Sequence, residues 1–170
     1  IAFKYLPLRT ENPLDVDEDR FDPYISFGAF PLAEENRFNE KWLLGLQVGF
    51  DKTFMNQSKI KFAISYYDYQ NITGKRNTIG SNLTDYTAPE YSQGGNSMFD
   101  IANDGDINPF NNNRFALATD YNLLDVTFKY DIARFSPIHI YFIADYVKNI
   151  GYEIEPDAKI VNPTLFNNYQ

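Results

Sequence analysis

The residues that most often carry out nucleophilic catalysis or bind zinc are almost absent from this chain. Its 170 residues contain one histidine, His139, and no cysteine. A Cys–His dyad and a thiolate zinc site are therefore excluded. A Ser–His–acid triad would need three side chains to converge in space, and the sequence shows no sign of that. We interpret His139 as a wall or core side chain, and we expect no enzyme activity and no cofactor.

A short acidic segment partly matches a calcium-binding loop. Acids stand at the first and fifth positions of such a loop, and Gly105 stands at the sixth. Ala102 occupies the third position, however, and Asn111 the twelfth, where a bidentate glutamate is expected. We favour a turn over a metal site here, and we interpret the acidic run Glu11–Asp22 as a solvated loop, with calcium as the alternative for both. The weak calcium candidates are Asp100, Asp104 and Asp106.

Charged and hydrogen-bonding side chains recur at every second position in four segments of the chain. Because side chains of a β-strand point alternately to its two faces, each such row would share one face. Both signs of charge, together with amides, hydroxyls and phenols, could set up a field across a water-filled lumen and bind polar solutes. Their mixed signs predict little ion selectivity. The predicted pore-lining residues are Gln47, Asp51, Lys59, Lys61, Ser65, Tyr67, Asp125, Thr127, Lys129, Asp131, His139, Tyr141 and Asp145.

The positions between them carry large apolar side chains and no charge. A lysine or arginine facing lipid would cost about 2–4 kcal/mol at the middle of a bilayer. Uncharged apolar rows of this length, opposite a mixed polar row, are typical of strands that cross an outer membrane. The predicted lipid-facing residues are Trp42, Leu44, Leu46, Val48, Phe50, Ile60, Phe62, Ile64, Leu124, Val126, Phe128, Ile138, Ile140 and Phe142.

These rows require strands, and the strands are predicted to form two hairpins with short turns. A structureless segment of nearly fifty residues is uncommon in a compact soluble domain, whereas outer-membrane barrels have long extracellular loops and short periplasmic turns. We predict no helix. The whole chain, 1–170, is predicted to be a single barrel segment with hairpins at 41–71 and 122–149, loops at 7–23, 73–121 and 150–170, a short strand at 24–32 ended by Pro31, and a strand remnant at 1–6.

Composition and charge agree with a barrel. A net charge of −8 argues against nucleic acid as a partner, since nucleic acid needs a basic face. The 13 tyrosines and 15 phenylalanines include several near the predicted strand ends, where aromatic girdles meet lipid head groups. We therefore expect an all-β fold, an antiparallel up-and-down transmembrane β-barrel. The chain begins Ile1-Ala2-Phe3, and we expect a signal peptide to be missing or removed. We expect an internal piece of a longer protein.

Three stretches of the chain resemble a known family. Trp42–Gln47, Lys61–Tyr69 and Asn149–Tyr152 are similar to the putative porins of Gram-negative bacteria, and the resemblance extends over about residues 24–152. It implies a channel in the Gram-negative outer membrane that passes small hydrophilic solutes by diffusion, with the lipid bilayer as its surroundings. The chain has too few strands to close such a barrel, so we expect it to be part of a larger one.

Three other classes of protein could use the same alternating strands. A soluble secreted β-sandwich could bind carbohydrate with its aromatic side chains, and it would stay monomeric without detergent. An enzyme carried on a barrel would need a clustered nucleophile and base. A structural or adhesion barrel with a plugged lumen would not conduct ions. The sequence leaves open whether the protein forms a homo-oligomer.

Overall fold

A computed structural model describes residues 1–6, 19–33, 40–90, 95–103, 113–135 and 137–162. These residues contain eight strands, one α-helix and one 3-10 turn. The strands are β1 (Ala2–Tyr5), β2 (Arg20–Ala33), β3 (Lys41–Thr53), β4 (Lys59–Gln70), β5 (Met98–Asp100), β6 (Phe115–Leu117), β7 (Asn122–Phe135) and β8 (Ile138–Asn149); the 3-10 turn is Asp85–Thr87 and helix α1 is Pro156–Val161.

Six of the strands form one sheet in the order β1-β2-β3-β4-β7-β8, and β5 pairs with β6 in a second sheet. The pairings β1–β2, β4–β7, β7–β8 and β5–β6 are all antiparallel. The predicted all-β antiparallel fold class is confirmed. Within the described ranges β1 and β8 are the two edges and do not pair with each other, so the sheet is not closed.

The register of the large sheet keeps apolar side chains beside apolar side chains. Phe62 on β4 lies opposite Phe128 on β7, and Ile64 lies opposite Val126. Val126 in turn lies opposite Tyr146 on β8. A slip of one residue would turn each row to the other face, so the alternation in the sequence specifies this register strongly.

A tight turn joins β3 to β4, and it also supports β7. The Phe54 amide donates to the Ser58 carbonyl at 2.9 Å, and Gln57 has a φ of 63°. Ser58 is buried, and its hydroxyl accepts a hydrogen bond of 3.1 Å from the amide of Ala133. The β7–β8 register is irregular between Ile132 and Phe135. The Ala133 amide lies in this irregular stretch, and the Ser58 hydroxyl gives it a hydrogen-bond partner that the strand pairing does not supply.

Strand β2 is longer than the sequence indicates. It begins at Arg20, inside the predicted loop 7–23, and runs past Pro31, which we expected to end it. The Ala29 amide donates to the Ile1 carbonyl, so odd-numbered amides of β2 point toward β1. Since β1 pairs only with Ile25–Gly28, a proline at position 23 or 31 removes no hydrogen bond to β1. The remainder of that loop, 7–18, lies outside the described residues.

The predicted loops 73–121 and 150–170 are not free of regular structure. They contain β5, β6, the 3-10 turn and α1, and these elements enclose a small core. Strands of three residues are too short to show a period in the sequence. Pro156, which we interpreted as a breaker, stands at the first turn of α1, where its fixed φ suits a helix start. The buried core residues are Phe99, Ile101, Ala116, Ala118, Ile154 and Ala158.

The chain divides into two compact units, which the predicted single segment 1–170 did not distinguish. The sheet unit comprises Ile1–Phe30, Leu43–Asp68 and Asn122–Ile150. The loop unit comprises Pro31–Trp42, Tyr69–Tyr121 and Gly151–Gln170. In the part of the chain that the structure describes, no helix has the length and apolar character needed to cross a membrane.

Candidate functional site

The polar face of the sheet unit is the candidate site, because three neighbouring strands align their polar rows there. Lys59 lies opposite Asp131, and Ser65 lies opposite Asp125. On the next pair of strands, Thr127 lies opposite Asp145. The rows predicted separately on each strand are therefore brought together into one continuous polar surface.

Side chains of this polar surface bind one another across strands. Gln47 donates its amide to the Ser65 hydroxyl at 3.0 Å. The Lys61 ammonium lies 3.0 Å from the Asp51 carboxylate.

One further pair occurs near the turn between β7 and β8. Nδ1 of His139 lies 2.9 Å from the Asp131 carboxylate. The sole histidine is thus held by an acid on the neighbouring strand, with its side chain about two-fifths exposed (41%). This contact fits the interpretation of His139 as a wall residue.

Two tyrosines of the predicted row cover parts of the polar surface with their rings. The Lys129 ammonium lies 4.9 Å from the centre of the Tyr141 ring, within range of a cation–π interaction. The Tyr141 ring also stacks on His139 at 6.1 Å. The Tyr67 ring lies beside Gly45, where an added Cβ would come within 3.3 Å of it. Because Gly45 on β3 has no side chain, the Tyr67 ring on β4 can lie against the backbone there.

The polar residues of β1 and β2 were not predicted from the sequence. The Lys4 ammonium lies 4.4 Å from the centre of the Tyr24 ring. The same ring approaches Gly49, where a Cβ would stand 2.8 Å from the phenol oxygen. Alternation of Asp22, Tyr24 and Ser26 is the signal that could have revealed this row. Because residues 7–23 are predicted to be a loop, Asp22 is separated from Tyr24 and Ser26, and the row is not recognised from the sequence.

The apolar face of the sheet unit remains open. Leu46 is 44% exposed, Val48 45% and Phe142 59%, whereas Ser65 and Ala63 on the polar rows are 1% and 5% exposed. Soluble sheets bury the apolar face and expose the polar one. Burial is therefore inverted on β3 and in the middle of β4, whereas both faces of the edge strand β8 are exposed, with Tyr141 at 55% and Phe142 at 59%.

The open apolar face carries aromatic contacts of its own. Phe50 lies 5.1 Å from Phe21 and 5.8 Å from Phe62, and Phe128 lies 6.2 Å from Phe142, measured between ring centres. The contacts Phe50–Phe62 and Phe128–Phe142 join predicted lipid-facing residues of adjacent strands, whereas Phe21 belongs to the predicted loop 7–23. Among the predicted lipid-facing residues, Trp42 belongs to the loop unit, where its indole donates to Glu40 at 3.1 Å.

Of the three calcium candidates, only Asp100 lies within the described residues. The Asp100 carboxylate accepts hydrogen bonds from the amides of Ala102 and Arg114 at 3.0 and 3.1 Å, as expected of a turn. Asp104 and Asp106 lie outside the described residues. Among the residues that are described, no cluster of three or more His, Cys, Asp or Glu could hold a metal ion.

The acidic run at residues 11–22 is described only at its end. Asp19 accepts a hydrogen bond of 3.0 Å from the Met55 amide and lies 3.4 Å from the Lys52 ammonium. Asp22 pairs with Arg20 at 2.7 Å. Both acids are used in contacts with the protein itself. The other acids, Glu11, Asp15, Asp17 and Glu18, lie outside the described residues.

The loop unit contains a polar network that no sequence pattern indicated. Asn77 is buried, and its amide oxygen accepts two hydrogen bonds from Thr84, at 2.8 Å from the backbone amide and 2.7 Å from the hydroxyl. Its amide nitrogen donates to Asp85 at 2.7 Å, and Asp85 pairs with Arg114 at 3.1 Å. An open cleft of about 550 Å³ lies beside this ion pair. Asn77, Thr84 and Asp85 are close in sequence, and folding brings the distant Arg114 to them.

Helix α1 is expected to be stabilised at acid pH. Burial, followed by the nearby charge of Asp157, raises the pKa of the Glu155 carboxyl above its usual value, although Lys75 opposes the shift. A raised carboxyl pKa stabilises the folded form below the unfolded pKa of 4.5, and this contribution is lost as the pH rises through the folded value. We expect Glu155→Gln to slow hydrogen exchange at the Ala158 amide at neutral pH.

The same variant provides its own control at low pH. Near pH 4 the wild-type carboxyl is largely protonated, so exchange at Ala158 should be similar in the two proteins. Equal exchange rates at neutral pH as well would contradict the assigned cause.

Comparison with protein families gives a match over almost the full length. A family model described as "Putative porin" matches residues 3–167, which is nearly the whole chain. Neither the curated proteins nor the solved structures gave a match.

Proposed function

Because the chain belongs to the putative porin family, we propose that it forms part of the wall of an outer-membrane channel through which small hydrophilic solutes diffuse passively. The polar surface of β3, β4, β7 and β8 would face the lumen, and their apolar rows would face lipid. The outer membrane of Gram-negative cells is the location that this role requires.

The open apolar rows of the sheet unit, opposite buried small residues on β4, carry this proposal. Serine and alanine on the polar rows are shielded by their larger neighbours, whereas leucine, valine and phenylalanine on the apolar rows stay open. Exposed apolar surface of this extent is unfavourable in water and favourable against lipid. We therefore assign the polar rows to the lumen and the apolar rows to lipid.

The chemistry of the polar surface supports passage of polar solutes without conversion. Gln47 and Ser65 offer amide and hydroxyl groups, and the charged pair Lys61 with Asp51 provides a local field. We assign no catalytic role to these residues. A soluble β-sandwich would need cover over the apolar face, and the exposure of Leu46 and Val48 on β3 favours the membrane alternative.

Planar-bilayer recording of the full-length protein tests the proposal. We expect stepwise conductance that grows linearly with salt concentration, because a water-filled lumen passes ions as well as neutral solutes. Protein unfolded in urea and added at the same concentration is the control. Folded, membrane-inserted protein that gives no conductance would remove the channel and leave a plugged or structural barrel.

A further inference from the structure

Three lysines meet on one patch of the polar surface, at the end of the strands near the short turns. Lys61 on β4 lies directly opposite Lys129 on β7. Lys59 is two residues before Lys61 and therefore on the same face. At about 3.4 Å per residue, two positions along a strand separate the Lys59 and Lys61 backbones by about 7 Å.

The carboxylates near this patch are already engaged. Asp51 binds Lys61 at 3.0 Å, and Asp131 binds His139 at 2.9 Å. Within the described ranges no carboxylate pairs with Lys129, whose ammonium lies over the Tyr141 ring, or with Lys59. Three lysines and two carboxylates leave the patch with a net positive charge, although Asp131 lies directly opposite Lys59.

Direct opposition of two lysines is an unfavourable arrangement in a sheet. Like charges directly opposite on paired strands destabilise the pair. An anion placed between the ammonium groups would replace this repulsion with attraction. Oxygen atoms of phosphate and carboxylate groups form strong charge-assisted hydrogen bonds with ammonium donors.

Two further acids of β7 and β8, Asp125 and Asp145, lie farther along the strands, toward the ends away from the short turns. Asp125 is opposite Ser65 and Val147, and its carboxylate lies 3.5 Å from the Thr127 hydroxyl. Asp145 is opposite Thr127. The three lysines of these rows thus lie together near the short turns, whereas carboxylates occur at both ends of the strands.

We propose that Lys59, Lys61 and Lys129 form an anion-binding site for solutes that carry a phosphate or carboxylate group. The inference rests on the proposed channel for its role in transport, where this site would favour anions passing that level of the lumen. Binding of an anion by the three lysines does not itself require conduction.

Ion selectivity of the full-length protein in planar bilayers is the first test. A lysine about 7 Å from a passing ion in water changes the energy of that ion. The change is large enough to alter the permeability of that ion roughly threefold. Because the cation is affected in the opposite sense, we expect Lys129→Gln to lower the anion-to-cation permeability ratio by roughly sevenfold in a potassium chloride gradient. Lys148→Gln is the matched control, since Lys148 lies on the other face of β8, beyond the end of the apolar row and opposite Leu124.

Binding of inorganic phosphate to the folded protein in detergent micelles is the second test. We expect the phosphorus resonance to broaden with wild type and with Lys148→Gln, and to broaden several-fold less with Lys59→Gln or Lys129→Gln. The same titration with acetate shows whether a carboxylate is accepted as well as a phosphate.

The outcomes separate this inference from the proposed function. An effect of Lys129→Gln beyond that of Lys148→Gln, in selectivity or in phosphate binding, supports the site even if the protein does not conduct. Normal conductance with identical selectivity and phosphate broadening in the two variants overturns the site and leaves the channel. Identical phosphate broadening in a protein that does not conduct overturns both.

Discussion

Arginine in place of Val126 is expected to lower the free energy of unfolding in lipid bilayers by about 2–4 kcal/mol, the cost of a charged side chain on a lipid face near the membrane centre. Val126 lies in the middle of β7, opposite Ile64 and Tyr146, so its side chain is surrounded by apolar rows on both sides. Urea titration of the protein folded into phospholipid vesicles measures the change.

The neighbouring residue is a matched control for that substitution. Thr127 belongs to the same strand but to the other face, opposite Ala63 and Asp145. Thr127→Arg introduces the same side chain beside a carboxylate and toward water. We expect it to cost less than a third of the Val126→Arg loss. Similar losses for the two variants would contradict the assignment of the apolar face to lipid.

Gly49→Ala is expected to destabilise the sheet unit by about 1–3 kcal/mol, as an over-packed side chain does in a dense environment. An added Cβ would stand 2.5 Å from the carbonyl oxygen of Phe62 and 2.8 Å from the Tyr24 ring. The first contact is with backbone, so a change of side-chain rotamer cannot relieve it. Urea titration in detergent micelles measures the loss.

Gly45→Ala is the corresponding control on the same strand. Its Cβ would lie 3.3 Å from a carbon of the Tyr67 ring, a flexible neighbour that can shift by a few tenths of an ångström. The expected change is within about 1 kcal/mol, because reduced freedom of the unfolded chain offsets part of the strain. Equal destabilisation by the two alanines would show that the close approach of Tyr24 and Phe62 to β3 is not maintained.

Some of the fold could be predicted from sequence because the direction of a strand side chain is a local property. The rows that begin at Lys59 and Asp125 alternate without a break, and each alternation assigns a residue to one face whatever the partner strand is. Family membership followed from the same strand patterns. The all-β class and the identity of the polar rows therefore follow from the amino-acid order alone.

Short elements were not accessible in this way, because a few residues cannot show a period. These short elements pack around one small core. It includes Phe99 of β5 and Ile101, and it is shared by β5, β6 and the helix that begins at Pro156. Strand β2 was underestimated for a different reason. Its prolines interrupt no hydrogen bond to β1, and the short pairing with β1 that explains this is not visible in the chain.

By itself, the sequence determined which residues share a face, since period two is set by the backbone of each strand alone. Tertiary structure decided which of those residues face one another, because that depends on strand order and register. Opposition of Lys61 and Lys129, and the capture of Asp51 and Asp131 by other partners, are consequences of the register. A row of mixed charge thereby becomes a surface with its positive charge gathered at one level.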